Sequence, residues 1–220
     1  PKLYDFRVSR TPPLARRADR YTINGRLDFK GTELEPLDLK EIETVAEKIR
    51  CSDVKAVAVC LLHSYANPIH EQNVRSVLET CLPDVFVCIS SDIIREFREY
   101  ERASTVALNA YLIPIMDRYL LSLESKLVDL DFGLGLQSKA PVMVMEASGG
   151  LMTLATARKK PVHTILSGPA GGVVASAEIA KRCKLENIIT MDMGGTSTDI
   201  SLIVDSTPLI TSQATLEGMP

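Results

Sequence analysis

The residues best suited to chemistry lie in one stretch, Ile188-Ile189-Thr190-Met191-Asp192-Met193-Gly194-Gly195-Thr196-Ser197-Thr198-Asp199-Ile200-Ser201-Leu202-Ile203. An apolar run ends in a carboxylate, turns through two glycines and three hydroxyl residues, and enters a second apolar run after another carboxylate. Each part suits a nucleotide polyphosphate. Gly194 and Gly195 accept positive φ and let main-chain N–H groups close round an anion. Thr196, Ser197 and Thr198 add hydroxyl donors. Asp192 can hold Mg²⁺ or Mn²⁺, directly or through water, and is the best candidate for a catalytic group, while Asp199 can orient the loop or a water. The plainer alternative is a β-hairpin with a Gly-Gly turn capped by two carboxylates. Three hydroxyls between acids, with buried strands expected on each side, weigh toward phosphate. The G-x-x-x-x-G-K-[ST] loop is absent and the loop has no lysine, so charge neutralisation falls to metal and backbone.

Just upstream, Ser167-Gly168-Pro169-Ala170-Gly171-Gly172-Val173 opens a helix whose first turns are nearly all small. Small residues let elements approach closely, as a hinge or crossover between lobes needs; a tightly packed core helix would look the same. Other chemistry-bearing residues have structural explanations beside functional ones. His63, His70 and Glu71 form a loose metal-like group, but helix capping and turn roles suit their spacing better. Arg95, Arg98 and Arg102 alternate with Glu96, Glu99 and Glu101, as paired charges on a solvated helix start do, and a cleft role is the rival reading. His163 stands alone, and Ser104 has neither a nearby His nor a G-x-S-x-G setting.

The elements that position these residues alternate. Residues 1–37 suggest extended segments and a turn at Asn24-Gly25. Leu39, Ile42, Val45, Ala46 and Ile49 repeat at helical spacing behind a cap at Asp38. Val54–Leu62 and Val85–Ser90 fit buried strands, with a helix between them capped by Asn67 and opened by Pro68. A long helix is expected from Arg98 to Leu130, bent at Pro114. Strands follow at Val142–Glu146 and near Thr164–Leu166, then the small-residue helix and the strands of the glycine loop. Strand–helix alternation makes an α/β protein, with a lobe boundary expected around Ser167–Gly172.

Composition narrows the function. The 220 residues are 45% hydrophobic and 24% charged, ordinary for globular domains, and the net charge of −3 carries no basic block for nucleic acid or anionic lipid. The longest apolar run, Ala56–Leu62, is far below the roughly 20 residues of a membrane span. Cys51, Cys60, Cys81, Cys88 and Cys183 lack C-x-x-C spacing and suit reduced core thiols, and no leader precedes them; a cytoplasmic protein is expected. Pro1 at the start and Gly218-Met219-Pro220 at the end suggest a piece of a longer polypeptide.

Together, Ser167–Val173 and Met191–Ile200 resemble the hydantoinase A/oxoprolinase family, which includes N-methylhydantoinase A and acetone carboxylase β-like proteins within the actin-like ATPase superfold. Leu61–Glu71, Arg98–Thr105, Leu108–Leu112 and Ser148–Met152 resemble it in the same order. The resemblance implies ribonuclease-H-like lobes closing on ATP and Mg²⁺, each lobe with one phosphate hairpin. It makes residues 38–166 the end of lobe one and residues 167–220 the connecting helix and phosphate hairpin of lobe two. Ser167, Gly168, Gly171 and Gly172, together with Asp192 and Gly194–Asp199, become the nucleotide-side residues. The other hairpin has no counterpart here, so the chain alone is expected to bind ATP weakly and turn nothing over. The implied activity is ATP-driven opening of a hydantoin or 5-oxoproline ring, or carboxylation of a ketone, with a second subunit or fused half as partner. A non-catalytic nucleotide switch of the same superfold is the alternative. One departure is Met145-Glu146-Ala147-Ser148-Gly149-Gly150, where an amide-bearing M-Q-S-N-G-G pattern is expected.

Overall fold

The structure, a computed structural model, describes residues 13–129 and 142–211. They fall into two compact units, one ending at Pro114 and the next beginning at Ile115.

In the first unit, β1 (Arg26–Leu27) and β2 (Glu33–Glu35) form an antiparallel pair. Their turn is held by Asp28, whose Oδ1 accepts from Lys30 N and Thr32 N at 2.8 Å each. The turn thus lies beyond Asn24-Gly25, because an Asp side chain can complete a turn with its own downstream amides. Helix α1 (Leu39–Arg50) starts as expected: Asp38 accepts from Lys40 N and Glu41 N. Strands β3 (Ala56–Val59) and β4 (Phe86–Ile89) pair in parallel, Ala56 opposite Phe86 and Val59 opposite Ile89, with α2 (Ile69–Cys81) as the crossover. Both strands are shorter than their apolar runs. In β3 only Val59 is fully buried, because a two-stranded sheet leaves open edges. Ile42, Ala46, Ile49, Val59, Val74, Leu78 and Ile89 interlock as the core of this unit. Asn67 accepts from Ile69 N and donates to Gly31 O at 2.8 Å. Pro68 precedes the helix with helical φ and ψ, its carbonyl receiving Gln72 N.

A four-residue helix, α3 (Ser90–Ile93), follows β4, and α4 (Glu99–Asp129) then runs 31 residues through Pro114 without a break. Proline has no N–H to close the ladder at this point, and here the two compact units divide.

In the second unit, β5 (Met143–Met145) pairs antiparallel with β6 (Leu151–Thr153), a strand too short to show in the sequence pattern. Thr153 caps α5 (Leu154–Lys159). Met152, Leu154 and Ala157 pack with Leu120 of α4. The strand expected near Thr164–Leu166 is absent. Pro161 opens a 3-10 turn, Pro161–Thr164, that Thr164 Oγ1 locks by donating to Pro161 O at 2.7 Å, and Leu166 turns left-handed at φ 60°. Helix α6 (Ser167–Arg182) leads through residues 183–187 into an antiparallel sheet of β7 (Ile188–Met193), β8 (Thr198–Val204) and β9 (Thr207–Pro208). Asp205 and Ser206, both at positive φ, make the tight β8–β9 turn.

Candidate functional site

The glycine loop is a β-hairpin whose register sets its chemistry. Ile188 opposes Ile203, Thr190 opposes Ser201, Asp192 opposes Asp199 and Met193 opposes Thr198. Directly opposed residues project to the same face, so the two carboxylates stand side by side with Thr190 and Ser201 beneath them. Ile203, on that face, is buried, and α6 contacts both strands. The acids therefore share the side that α6 covers at the hairpin's base. Residues 194–197 form the turn, closed by Gly194 N donating to Ser197 O at 2.9 Å. Thr196, Ser197 and Thr198 are solvent-exposed, as is Asp192, and Asp199 is half-buried. The turn is open to a ligand.

Two expectations about the hairpin need correction. Neither Gly194 nor Gly195 takes a positive φ; the glycines that do are Gly25, Gly31 and Gly149. A four-residue turn closed by one main-chain hydrogen bond does not need the left-handed region, so these glycines supply room. A Cβ added at Gly195 meets nothing within 4 Å, and at Gly194 only Ser197 O at 3.7 Å. Nor are the strands buried. Ile189, Met191 and Ile200 are 71%, 63% and 65% exposed, because no described element covers the face they share with Leu202. Their apolarity resembles that of a two-sided buried strand, but α6 covers one side alone.

The small-residue segment sits at the start of α6. Leu166 precedes it without a side-chain cap, and Ser167 is the first helical residue. A Cβ at Gly171 would lie 3.6 Å from Met145 Cε, whereas Cβ atoms at Gly168 and Gly172 would meet nothing within 4 Å. Gly171 therefore fits the packing role, and Gly168 and Gly172 leave an open face. Helix α6 and β7 run in opposite senses, but no described hydrogen bond joins Ser167, Gly168, Gly171 or Gly172 to the hairpin. The Glu146 carboxylate receives Ser148 Oγ at 3.1 Å inside its own turn.

Residues that sequence spacing placed on the surface turn out to be buried. Glu71 is fully buried and accepts from Leu61 N at 2.8 Å, Ser90 Oγ at 2.7 Å and Ser91 N at 2.8 Å. Arg102 is 1% exposed and donates to Leu61 O at 2.6 Å and Glu96 O at 3.2 Å, its guanidinium 5.6 Å from the Tyr65 ring. His70 is also buried and hydrogen-bonds Glu33 at 2.7 Å. Arg98–Glu101, at 3.9 Å, is the surface pair that the alternating charges predicted. Among the described residues no three His, Cys, Asp or Glu side chains gather as a metal site, and no helix is long and apolar enough to cross a membrane.

Comparison with known proteins places these features in a family. The hydantoinase/oxoprolinase model matches residues 102–220, and the hydantoinase/oxoprolinase N-terminal region matches residues 1–82. This chain belongs to the hydantoinase/oxoprolinase family. It is 37% identical over 218 residues to an uncharacterised protein of Methanocaldococcus jannaschii, which covers 99% of this chain and 31% of that one. It is 36% identical over 199 residues to the caprolactamase subunit alpha of Pseudomonas jessenii, covering 90% of this chain and 28% of the subunit. The crystal structure of that ATP-dependent caprolactamase superposes with a TM-score of 0.78 over 90% of this chain and 28% of the solved chain. A nucleotide-free acetone carboxylase structure, 26% identical, superposes with a TM-score of 0.72 over 90% of this chain and 27% of its own. The chain thus spans less than a third of each of these relatives. The fold is α/β and fits part of an actin-like ATPase.

Proposed function

We propose that this chain is the part of an ATP-dependent enzyme that carries one phosphate-binding hairpin, and that the whole enzyme activates a carbonyl oxygen by phosphoryl transfer. The substrate class is a cyclic amide of the hydantoin, 5-oxoproline or lactam type, or a ketone destined for carboxylation. One observation carries the reading: a solvent-open turn with three hydroxyls, flanked by Asp192 and Asp199 in direct register. The related caprolactamase and acetone carboxylase, ATP-dependent by their descriptions, support it.

The donor set fits a hydrated Mg²⁺, which takes one or two carboxylates and leaves its other positions to water and phosphate oxygens. Asp192 and Asp199 would hold it, and it would neutralise phosphate charge where the loop has no lysine. The chain's own residues do the rest. Gly194 and Gly195 admit the phosphates closely, the Thr196, Ser197 and Thr198 hydroxyls donate to them, and Thr190 and Ser201 support the acids from below. Phosphoryl transfer needs positioning and charge stabilisation more than covalent help, which is what such a turn supplies. A second subunit or fused half completes the enzyme, as the caprolactamase's designation as a subunit suggests.

The test is phosphate release by the full-length protein with ATP and Mg²⁺, alone and with hydantoin, 5-oxoproline, caprolactam or acetone. Release stimulated by one of these supports the enzyme. Tight ATP binding without stimulation by any of them would instead indicate a nucleotide switch.

A further inference from the structure

The carboxyl edge of the parallel β3–β4 pair concentrates unusual features that the phosphate hairpin does not explain. Three described buried side-chain atoms lack a hydrogen-bond partner: His63 Nδ1, Ser91 Oγ and Arg102 Nε. All three belong to residues at the exits of β3 and β4 or packed on them. Buried polar atoms are nearly always satisfied, so such clustering requires a cause. His63 also holds φ at 59°, a left-handed conformation that costs a residue with a Cβ and collects at functional sites. Its half-buried imidazole makes no described hydrogen bond and meets Tyr65 edge-on, with ring centroids 6.0 Å apart.

The conformation is set from both sides of Leu61. The Glu71 carboxylate takes the Leu61 N–H, and the Arg102 guanidinium takes the Leu61 carbonyl. Glu71 also takes Ser90 Oγ and Ser91 N, which ties the β3 exit to the β4 exit. Ala66 N and Asn67 N both donate to His63 O. A buried charge of each sign thus holds one short loop, and the loop presents a side chain with free hydrogen-bonding capacity. In open α/β sheets small ligands bind outside the carboxyl ends of parallel strands.

We propose that this edge is a substrate-side site, where the His63 imidazole hydrogen-bonds the ring amide of a cyclic amide and Glu71 and Arg102 are positioning residues acting through Leu61. The proposal rests on the functional reading above and deepens it by choosing the cyclic amide over the ketone. An imidazole nitrogen with no internal donor can accept the N–H that a lactam or hydantoin has and a simple ketone lacks.

The experiment uses the full-length protein, with hydantoin, 5-oxoproline and caprolactam as probes and acetone as the control. Ethoxyformylation of His63 is followed by mass spectrometry, and probe binding by calorimetry. At least one amide at saturation is expected to slow His63 modification about fivefold or more while acetone does not, and His63→Ala to weaken that amide about tenfold, as loss of one hydrogen bond does. ATP binding by His63→Ala stays within about twofold of the unaltered protein, since a variant that merely unfolds loses both ligands. Glu71→Gln, which keeps the shape, should weaken the same amide with ATP binding retained. Equal amide affinity in His63→Ala, protection by acetone alone, or no amide binding to the unaltered protein overturns the proposal. Amide binding lost in His63→Ala, with no amide-stimulated phosphate release, would retain the site and discard the ATP-driven enzyme.

Discussion

Asp192 and Asp199 oppose each other in register across the β7–β8 hairpin, two carboxylates on one face beside a solvent-open turn. Like charges placed directly opposite destabilise a sheet, by about 0.2–1 kcal/mol on the scale of cross-strand pairs. A plain hairpin gains nothing from that arrangement; a metal–phosphate site does. Asp192→Asn or Asp199→Asn should therefore leave the metal-free protein as stable or slightly more so, while Mg·ATP affinity of the full-length protein falls about tenfold or more. Thermal melts without metal and calorimetric titrations with Mg·ATP read the two signs. A variant that melts earlier and binds normally would make the acids structural.

Glu71 is the opposite kind of carboxylate, buried and saturated by Leu61 N, Ser90 Oγ and Ser91 N. Truncation leaves those donors without an acceptor, so Glu71→Ala should destabilise by about 3 kcal/mol or more, against a smaller loss for Glu71→Gln. Urea unfolding of both variants checks it, and equal midpoints would remove the strand-exit tie from the argument.

Much of this architecture was legible in the sequence, and the places where it was not share a cause. Asp38 and the apolar series Ile42, Val45, Ala46 and Ile49 announced α1 because a helix start is a local event. The acid–glycine–hydroxyl order of residues 192–199 located the hairpin for the same reason. Local pattern could not tell that Arg102 is buried, since the alternating charges of residues 95–102 look like a solvated helix start until Leu61 O and Tyr65 are brought to it. Nor could it tell that Ile189, Met191 and Ile200 lie open, because apolar type reports that a face is to be covered without saying by what. The 3-10 turn at Pro161 and the three-residue β6 fall below the length at which periodicity carries information.

Acid should loosen the first unit at a defined place. Thr32 N and then Lys30 N, donating to Asp28, hold its carboxyl below the ordinary range. A carboxyl that binds its proton less readily folded than unfolded stabilises the fold above the ordinary carboxylate range and loses that contribution as pH falls through the folded value. The β1–β2 turn should therefore weaken below about pH 4, and Asp28→Asn should flatten the decline. Amide exchange at Lys30 and Thr32 across acid pH measures it; identical slopes in the two proteins would refute the assignment.

The thiols should divide by burial. Cys51 and Cys183 are exposed, whereas Cys88 lies in the core and burial pushes its thiol up to about 11. The thiolate is the reactive form, so at about pH 8 Cys51 and Cys183 should label with a thiol reagent while Cys88 stays protected until the protein unfolds. Timed labelling with peptide mapping checks the order. Early labelling of Cys88 would mean that β4 opens without global unfolding.

The glycines separate packing from function by the sign of their substitutions. Gly149 sits at φ 88°, and a Cβ there would lie 2.9 Å from Val174 Cγ2 on α6, so Gly149→Ala meets both strain and a clash. It should destabilise by about 1–3 kcal/mol. Gly168 and Gly172 lie within α6 with nothing in 4 Å of an added Cβ, so alanine there should stabilise the fold by about 0.5–1 kcal/mol through helix propensity. A residue that costs stability and fills no packing need is retained for something other than the fold of this unit. If the open face of α6 admits nucleotide or closes against another lobe, Gly172→Ala should raise the melting temperature and still lower Mg·ATP affinity or substrate-stimulated phosphate release in the full-length protein. Melting curves and phosphate release on the same preparations decide it. A Gly172→Ala protein that is stabilised and fully active would confine the role of these glycines to sequence likeness, and leave the Asp192–Asp199 hairpin to carry the nucleotide assignment without them.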